Sequence, residues 1–102
     1  MIGYSYHPKA IKEIIEAARG YEKDRPGLGK EFRANLDAAV EFLRRFPKAA
    51  APVRGNLRRK PLERFPYALI YAVEDEEIRI YAVPHRRRRP EYWLGRIPLR
   101  DR

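Results

Sequence analysis

FPYALIYAVEDEEIRIYAV, residues 65–83, decides the fold. Its first half, through Glu74, is the most apolar stretch of the chain and reads as a central strand. In the second half Ile78, Ile80 and Ala82 alternate with Arg79, Tyr81 and Val83, the period of a strand with two different faces. Between the halves, Glu74-Asp75-Glu76-Glu77 is an acidic hairpin turn without the Asn-Gly signature. Tyr67 and Tyr71 alternate at strand spacing and are assigned to the core. Upstream, LRRKPLERF is a polar strand, and its Pro61 assigns it to a sheet edge, because proline brings no amide to the ladder. PKAAAPVRGN, residues 47–56, reads as a loop too short to separate two domains.

The first half of the chain has the other period. Ile11, Ile14, Ile15 and Ala18 recur as the stripe of an amphipathic helix, with Lys12, Glu13, Glu16 and Arg19 on its solvent side. Pro8 suits the first helical position, and His7 marks the entry. Asp24-Arg25-Pro26-Gly27 breaks the helix. A second stripe, Leu28, Phe32, Leu36, Ala39, Val40 and Leu43, runs to Phe46-Pro47. So short a break predicts an antiparallel helical hairpin. IGYSY, residues 2–6, adds a short strand in front. The order β-αα-βββ predicts an α+β fold with the hairpin packed on one face of an antiparallel sheet. Because the hairpin returns the chain to the side it left, the first strand is expected antiparallel to whichever later strand it joins.

A length of 102 residues predicts one domain, 1–102, with a basic C-terminal segment at 85–102. With no cysteine, and with His7 and His85 far apart in sequence, no metal site is expected. No cofactor is expected either, since Gly27 and Gly29 lack the setting of a phosphate loop. No apolar run approaches the ~20 residues of a membrane span, and the N-terminus lacks the pattern of a signal peptide. A cytoplasmic protein without membrane contact is the expectation. The net charge is +9, from 23 Lys and Arg against 14 Asp and Glu. The excess gathers in the second half, where Lys60 is the only lysine. Arginine's planar fork suits phosphates and carboxylates, so an anionic partner is expected, either nucleic acid or an acidic protein surface.

Two segments concentrate that charge. In VPHRRRRPEYW, residues 83–93, Arg86, Arg87, Arg88 and Arg89 are followed by Tyr92 and Trp93. A solvated tail has little use for large apolar anchors, so this segment is expected to bind a partner or target. Arg58, Arg59 and Lys60 either join it or keep an edge strand from pairing with other chains. His85 has the chemistry of an acid or base near neutral pH, or else is a histidine hydrogen-bonded at the end of the sheet.

The ordered set YHPKAIKEIIEAARGYEKDRPGLGKEF, Phe46-Pro47, VRGNLRRKPLERFPYALIYAVEDEEIRIYAV and HRRRRPEYW resembles the RelE/ParE superfamily, toxins of bacterial type II toxin–antitoxin systems. The resemblance runs from about Tyr4 to Trp93. It implies the β-αα-βββ fold, a cognate antitoxin and a toxin–antitoxin hetero-oligomer. It also implies one of two activities. RelE-like members cut mRNA on the ribosome without metal, which would place Arg59, Lys60, Arg86 and Tyr92, with His85, in the reaction. Against this, Ala68 stands where an arginine is expected and Pro61 where a lysine is common. ParE-like members bind DNA gyrase and are not nucleases. The PGLG connection and the His-Arg-Arg…Pro-Glu-Tyr-Trp ending are closer to that branch. The expectation is therefore a plasmid-stabilisation-type toxin that binds gyrase through Arg58, Arg59, Arg86–Arg89, Tyr92 and Trp93, and that an antitoxin neutralises. A ribosome-dependent endoribonuclease is the alternative, followed by an inactive or general nucleic-acid-binding member.

Overall fold

His7 fixes where the first strand stops and the first helix starts. In the computed structural model, which describes all 102 residues, its Nδ1 accepts the amide of Lys9 at 3.1 Å and caps the helix, with Pro8 behind it. The elements are β1 (Gly3–Tyr6), α1 (Pro8–Asp24), α2 (Leu28–Arg45), β2 (Ala51–Arg54), β3 (Leu57–Pro61), β4 (Ala68–Glu74) and β5 (Glu77–Ala82). Two 3-10 turns, Leu94–Arg96 and Leu99–Asp101, follow. The helical hairpin depends on two glycines. Gly27 takes φ = 88°, open to glycine at no steric cost. Gly29 lies so close to α1 that a Cβ would stand 2.5 Å from the Ala18 carbonyl oxygen. The Glu22 carboxylate accepts both their amides, at 3.0–3.2 Å, and serves as the cap that α2 lacks in its own N-cap side chain.

The fold is α+β, with both helices packed on one face of a five-stranded sheet of order β1-β5-β4-β3-β2. Two expectations about that sheet need correction, and one residue stretch explains both. Ala51–Arg54 is a fourth strand after the hairpin, paired antiparallel with β3. Alanine, proline and a fully exposed surface hide it from propensity reasoning. With three strands after the hairpin the last would run against β1. With four the parity changes, and β1 lies parallel to β5, making the sheet mixed. The same strand moves β3 from the edge to the interior. Pro61 remains tolerable there because the Leu62 amide bonds the Tyr67 carbonyl, so even-numbered amides of β3 face β4. The amide missing at Pro61 would face the other side, beyond Ala51, whose partner is Arg59.

A bulge alters the expected faces of β5. Tyr71 pairs with Ile80 but Ile70 pairs with Ala82, leaving Tyr81 as the extra residue. Past it the alternation inverts. Ile78, Ile80 and Val83 join the helix-side core around Phe32, Leu43, Leu69 and Tyr71. Tyr81 and Ala82 turn to the opposite face, with Leu57, Ile70 and Ala72. Trp93 and Ile97 cover that face, so residues 85–102 form a folded arm that lays a second small core over the sheet.

The arm's far end carries a carboxyl pair. The Tyr81 hydroxyl donates to Glu74 at 2.7 Å, and the Asn56 side-chain amide donates to Asp101 at 3.1 Å. Asp101 is buried and its Oδ2 accepts no hydrogen bond. Burial, then the neighbouring Asp101 carboxylate, push the Glu74 carboxyl above its ordinary value of 4.5. A raised carboxyl favours folding below its ordinary value, and that contribution is lost as pH rises through the folded value. Glu74→Gln removes the repulsion, keeps an acceptor for Tyr81 and offers an amide to Asp101. It is expected to stabilise the chain by about 1 kcal/mol at pH 7, with the gain vanishing below about pH 4. Urea melts at the two pH values measure this, and an unchanged midpoint at pH 7 contradicts it.

Candidate target-binding site

The inverted phase after Tyr81 aims the end of β5 at one side of the molecule. His85 forms an isolated bridge with Tyr67, and the Arg86 amide donates to the Pro66 carbonyl at 2.8 Å. The His85 Nδ1 accepts the Arg87 amide at 3.0 Å, and its ring meets Tyr67 edge to face at 5.0 Å. His85 is thus the histidine hydrogen-bonded at the sheet end. The backbone of the arginine run is pinned from its first residue.

Above this turn lies a cleft of about 250 Å³ lined by Val53, Ile70, Pro84 and Trp93. Arg59 from β3 and Arg86, Arg88 and Arg89 from the arm line it. A second cleft of about 390 Å³, walled by Phe65 and Tyr67, adjoins it and shares Arg59 and Arg86. Together they make one arginine-lined trough. Several other arginines are neutralised by carboxylates, two of them at the trough's margins: Arg54 by Glu91 and Arg64 by Glu31, and farther off Arg96 by Glu13. The guanidinium groups of Arg59, Arg86, Arg87, Arg88 and Arg89 meet no carboxylate within 4.0 Å. Arg88 lies over the Tyr92 ring at 4.0 Å, a contact that orients it without neutralising it. Arg87 is exposed beside the trough and does not line it.

The remaining residues singled out from the sequence lie elsewhere, each for a local reason. Lys60 alternates to the helix side of β3 and sits over Phe42 at 4.6 Å. Arg58, on that same side, donates to the Lys48 and Ala50 carbonyls at 3.0 and 2.8 Å and holds the loop before β2. Neither guards a sheet edge, because β3 is interior. Trp93 is only 5% exposed, so its anchor is set within the chain and not in a partner. Ala68 is fully buried; a cation has no room there. Of the five residues a nuclease would use, the fold brings together Arg59, His85 and Arg86.

Tyr92 answers to a residue that sequence reasoning left on the solvent side. Its hydroxyl donates to Glu13 Oε2 of α1 at 2.7 Å. Arg96 grips the same carboxylate with both terminal nitrogens, at 2.9 and 3.1 Å, and the Val83 amide donates to it at 2.9 Å. Arg96 also donates to the Tyr81 carbonyl at 3.1 Å. Burial pushes the Glu13 carboxyl upward, but the donors of Arg96, Val83 and Tyr92 outweigh it and hold the group below its ordinary value of 4.5. Burial, and then the hydrogen bond to Glu13, push the Tyr92 phenol well above its ordinary value of 10.0. Tyr92 therefore acts as a structural donor that ties the arm to α1. A separation of 83 residues between Glu13 and Arg96 gives no local signal of this clamp.

Three comparisons with known proteins bear on the whole. A family model described as the ParE toxin of type II toxin–antitoxin system, parDE, matches residues 4–90. The match stops just short of Tyr92 and Trp93. A solved structure described as a chromosomal ParDE TA system from P. aeruginosa shares the fold, with a TM-score of 0.59 and 19% identity. The likeness covers 83% of this chain and 96% of that one. No curated protein matches the sequence.

Proposed function

Because this chain belongs to the ParE toxin family of type II toxin–antitoxin systems, we propose that it arrests growth by binding DNA gyrase through its arginine trough. As the toxin of such a system it has a cognate antitoxin as partner. The antitoxin holds it in a hetero-oligomer in the cytoplasm, and the +9 charge draws an acidic antitoxin to it. No helix of the chain is long and apolar enough to cross a membrane.

One observation carries the gyrase reading over the nuclease reading. The trough is rich in unpaired guanidinium groups, but Lys60 lies on the other side of the sheet and Tyr92 is bound to Glu13. Strand cleavage needs a proton donor and acceptor within reach of one phosphate, and the tyrosine is held away from it. Arg59, His85 and Arg86 do converge, which keeps mRNA cleavage as the one competing reading. Induced expression, with plasmid supercoiling and mRNA integrity followed in the same cells, separates the two. Loss of negative supercoiling with intact mRNA is expected. Transcripts cut at defined codon positions while supercoiling is normal would place the chain with the ribosome-dependent nucleases.

A further inference from the structure

A gyrase-binding protein meets two kinds of surface at once, the enzyme and the DNA it holds. The trough has the chemistry of the second. Its unpaired cations are all arginines, whose forked donors match phosphate oxygens bidentately. They follow a concave path, since Arg59 and Arg86 line both clefts, with Arg88 and Arg89 at one end. Half-buried rings border the clefts, Tyr67 in one and His85 in the other, packed edge to face on each other. Forked cations following a groove are what the backbone of an extended strand uses. An acidic peptide would compete for the same cations, and its affinity relative to a strand separates the two. Clefts of about 250 and 390 Å³ are at the small end of ligand sites, a scale that suits one strand.

We infer that the arginine trough binds the phosphodiester backbone of a single nucleic-acid strand, which in the gyrase complex is DNA opened by the enzyme. The role in gyrase rests on the function proposed above; the ligand class rests on the trough alone.

The test uses the whole chain and a fluorescein-labelled oligodeoxythymidylate of about twelve nucleotides, followed by anisotropy against salt. Four engaged arginines on a single strand predict a log–log slope of about −3, or roughly sixtyfold weaker binding at 200 mM than at 50 mM salt. Arg59→Gln with Arg86→Gln should halve that slope, and so should Arg88→Gln with Arg89→Gln, whose side chains are exposed. Arg19→Gln with Arg45→Gln removes equal charge from the helices, where neither side chain is paired, and should leave the slope unchanged. Equal loss in all three pairs overturns the inference, because the attraction then belongs to overall charge. Equal binding of oligouridylate supports a backbone reader, whereas binding of oligouridylate alone overturns the assignment to DNA. Preference for a polyglutamate peptide of equal charge overturns it in favour of a protein-docking face. A final arm separates the two proposals. Gyrase inhibition without oligonucleotide binding defeats the strand inference and leaves the gyrase reading standing. Trough-dependent oligonucleotide binding without gyrase inhibition does the reverse.

Discussion

Glu13→Ala is expected to remove about 3–5 kcal/mol of folding stability, the cost of leaving a buried charge without its partner. Glu13 and Arg96 keep only 15% and 12% of their side-chain surface exposed, so this pair differs from the exposed ones elsewhere on the chain. The carboxylate also accepts the Val83 amide and the Tyr92 hydroxyl. Its loss strands three donors and frees the arm from α1. Glu13→Gln keeps an acceptor and should lose less. The pH dependence has a definite sign. A carboxyl held below its ordinary value of 4.5 contributes stability that is present above that value and is lost as pH falls through the folded value. The unmodified chain should therefore weaken in acid below the ordinary carboxylate range, and Glu13→Ala should show less of that weakening. Urea midpoints at pH 7 and pH 3 measure both effects. A change within about 0.5 kcal/mol at pH 7, the scale of an exposed pair, would show that the clamp does not hold the arm.

Trp93→Ala should be comparably damaging, by about 3–5 kcal/mol, the range for emptying an aromatic site in a core. The side chain packs with Leu57, Ile70, Ala72 and Ile97 and covers a sheet face that no helix reaches. Trp93→Phe should recover much of the loss. As the single tryptophan, Trp93 reports on its own environment. Its emission should be blue-shifted in the folded chain and move red as the arm detaches. In cells, relief of toxicity by Trp93→Ala would then reflect low abundance, since losses of 1–2 kcal/mol already change steady-state levels several-fold. A variant that keeps its urea midpoint yet loses its target would return Trp93 to the role of an exposed anchor.

What the sequence made legible follows the range of its signals. Helix stripes, the Pro-Gly break and the apolar alternation of β4 and β5 are local, and the α+β fold with a helical hairpin follows from them. β2 was not legible, because Ala51 and Pro52 are poor strand formers and its pairing comes from β3 alone. Missing one strand then inverted the predicted direction of β1, a topological error made by a local omission. The bulge at Tyr81 left no mark either, so Val83 and Ala82 exchanged faces. Within the candidate site, charge density pointed to Arg59 and Arg86–Arg89, of which all but Arg87 line the trough, but it could not sort arginines by what they already hold. Arg58 and Arg96 look no different in sequence from Arg59, yet both are occupied within the chain. Tyr92 and Trp93 were legible as anchors; the object they anchor to, α1 and the open sheet face, was not.

The most direct measurement is DNA supercoiling by purified gyrase in the presence of the purified toxin. The unmodified chain should halt supercoiling, and the Arg59→Gln, Arg86→Gln double variant should restore it while keeping its urea midpoint. Full supercoiling activity with a micromolar excess of folded, unmodified toxin would contradict the account.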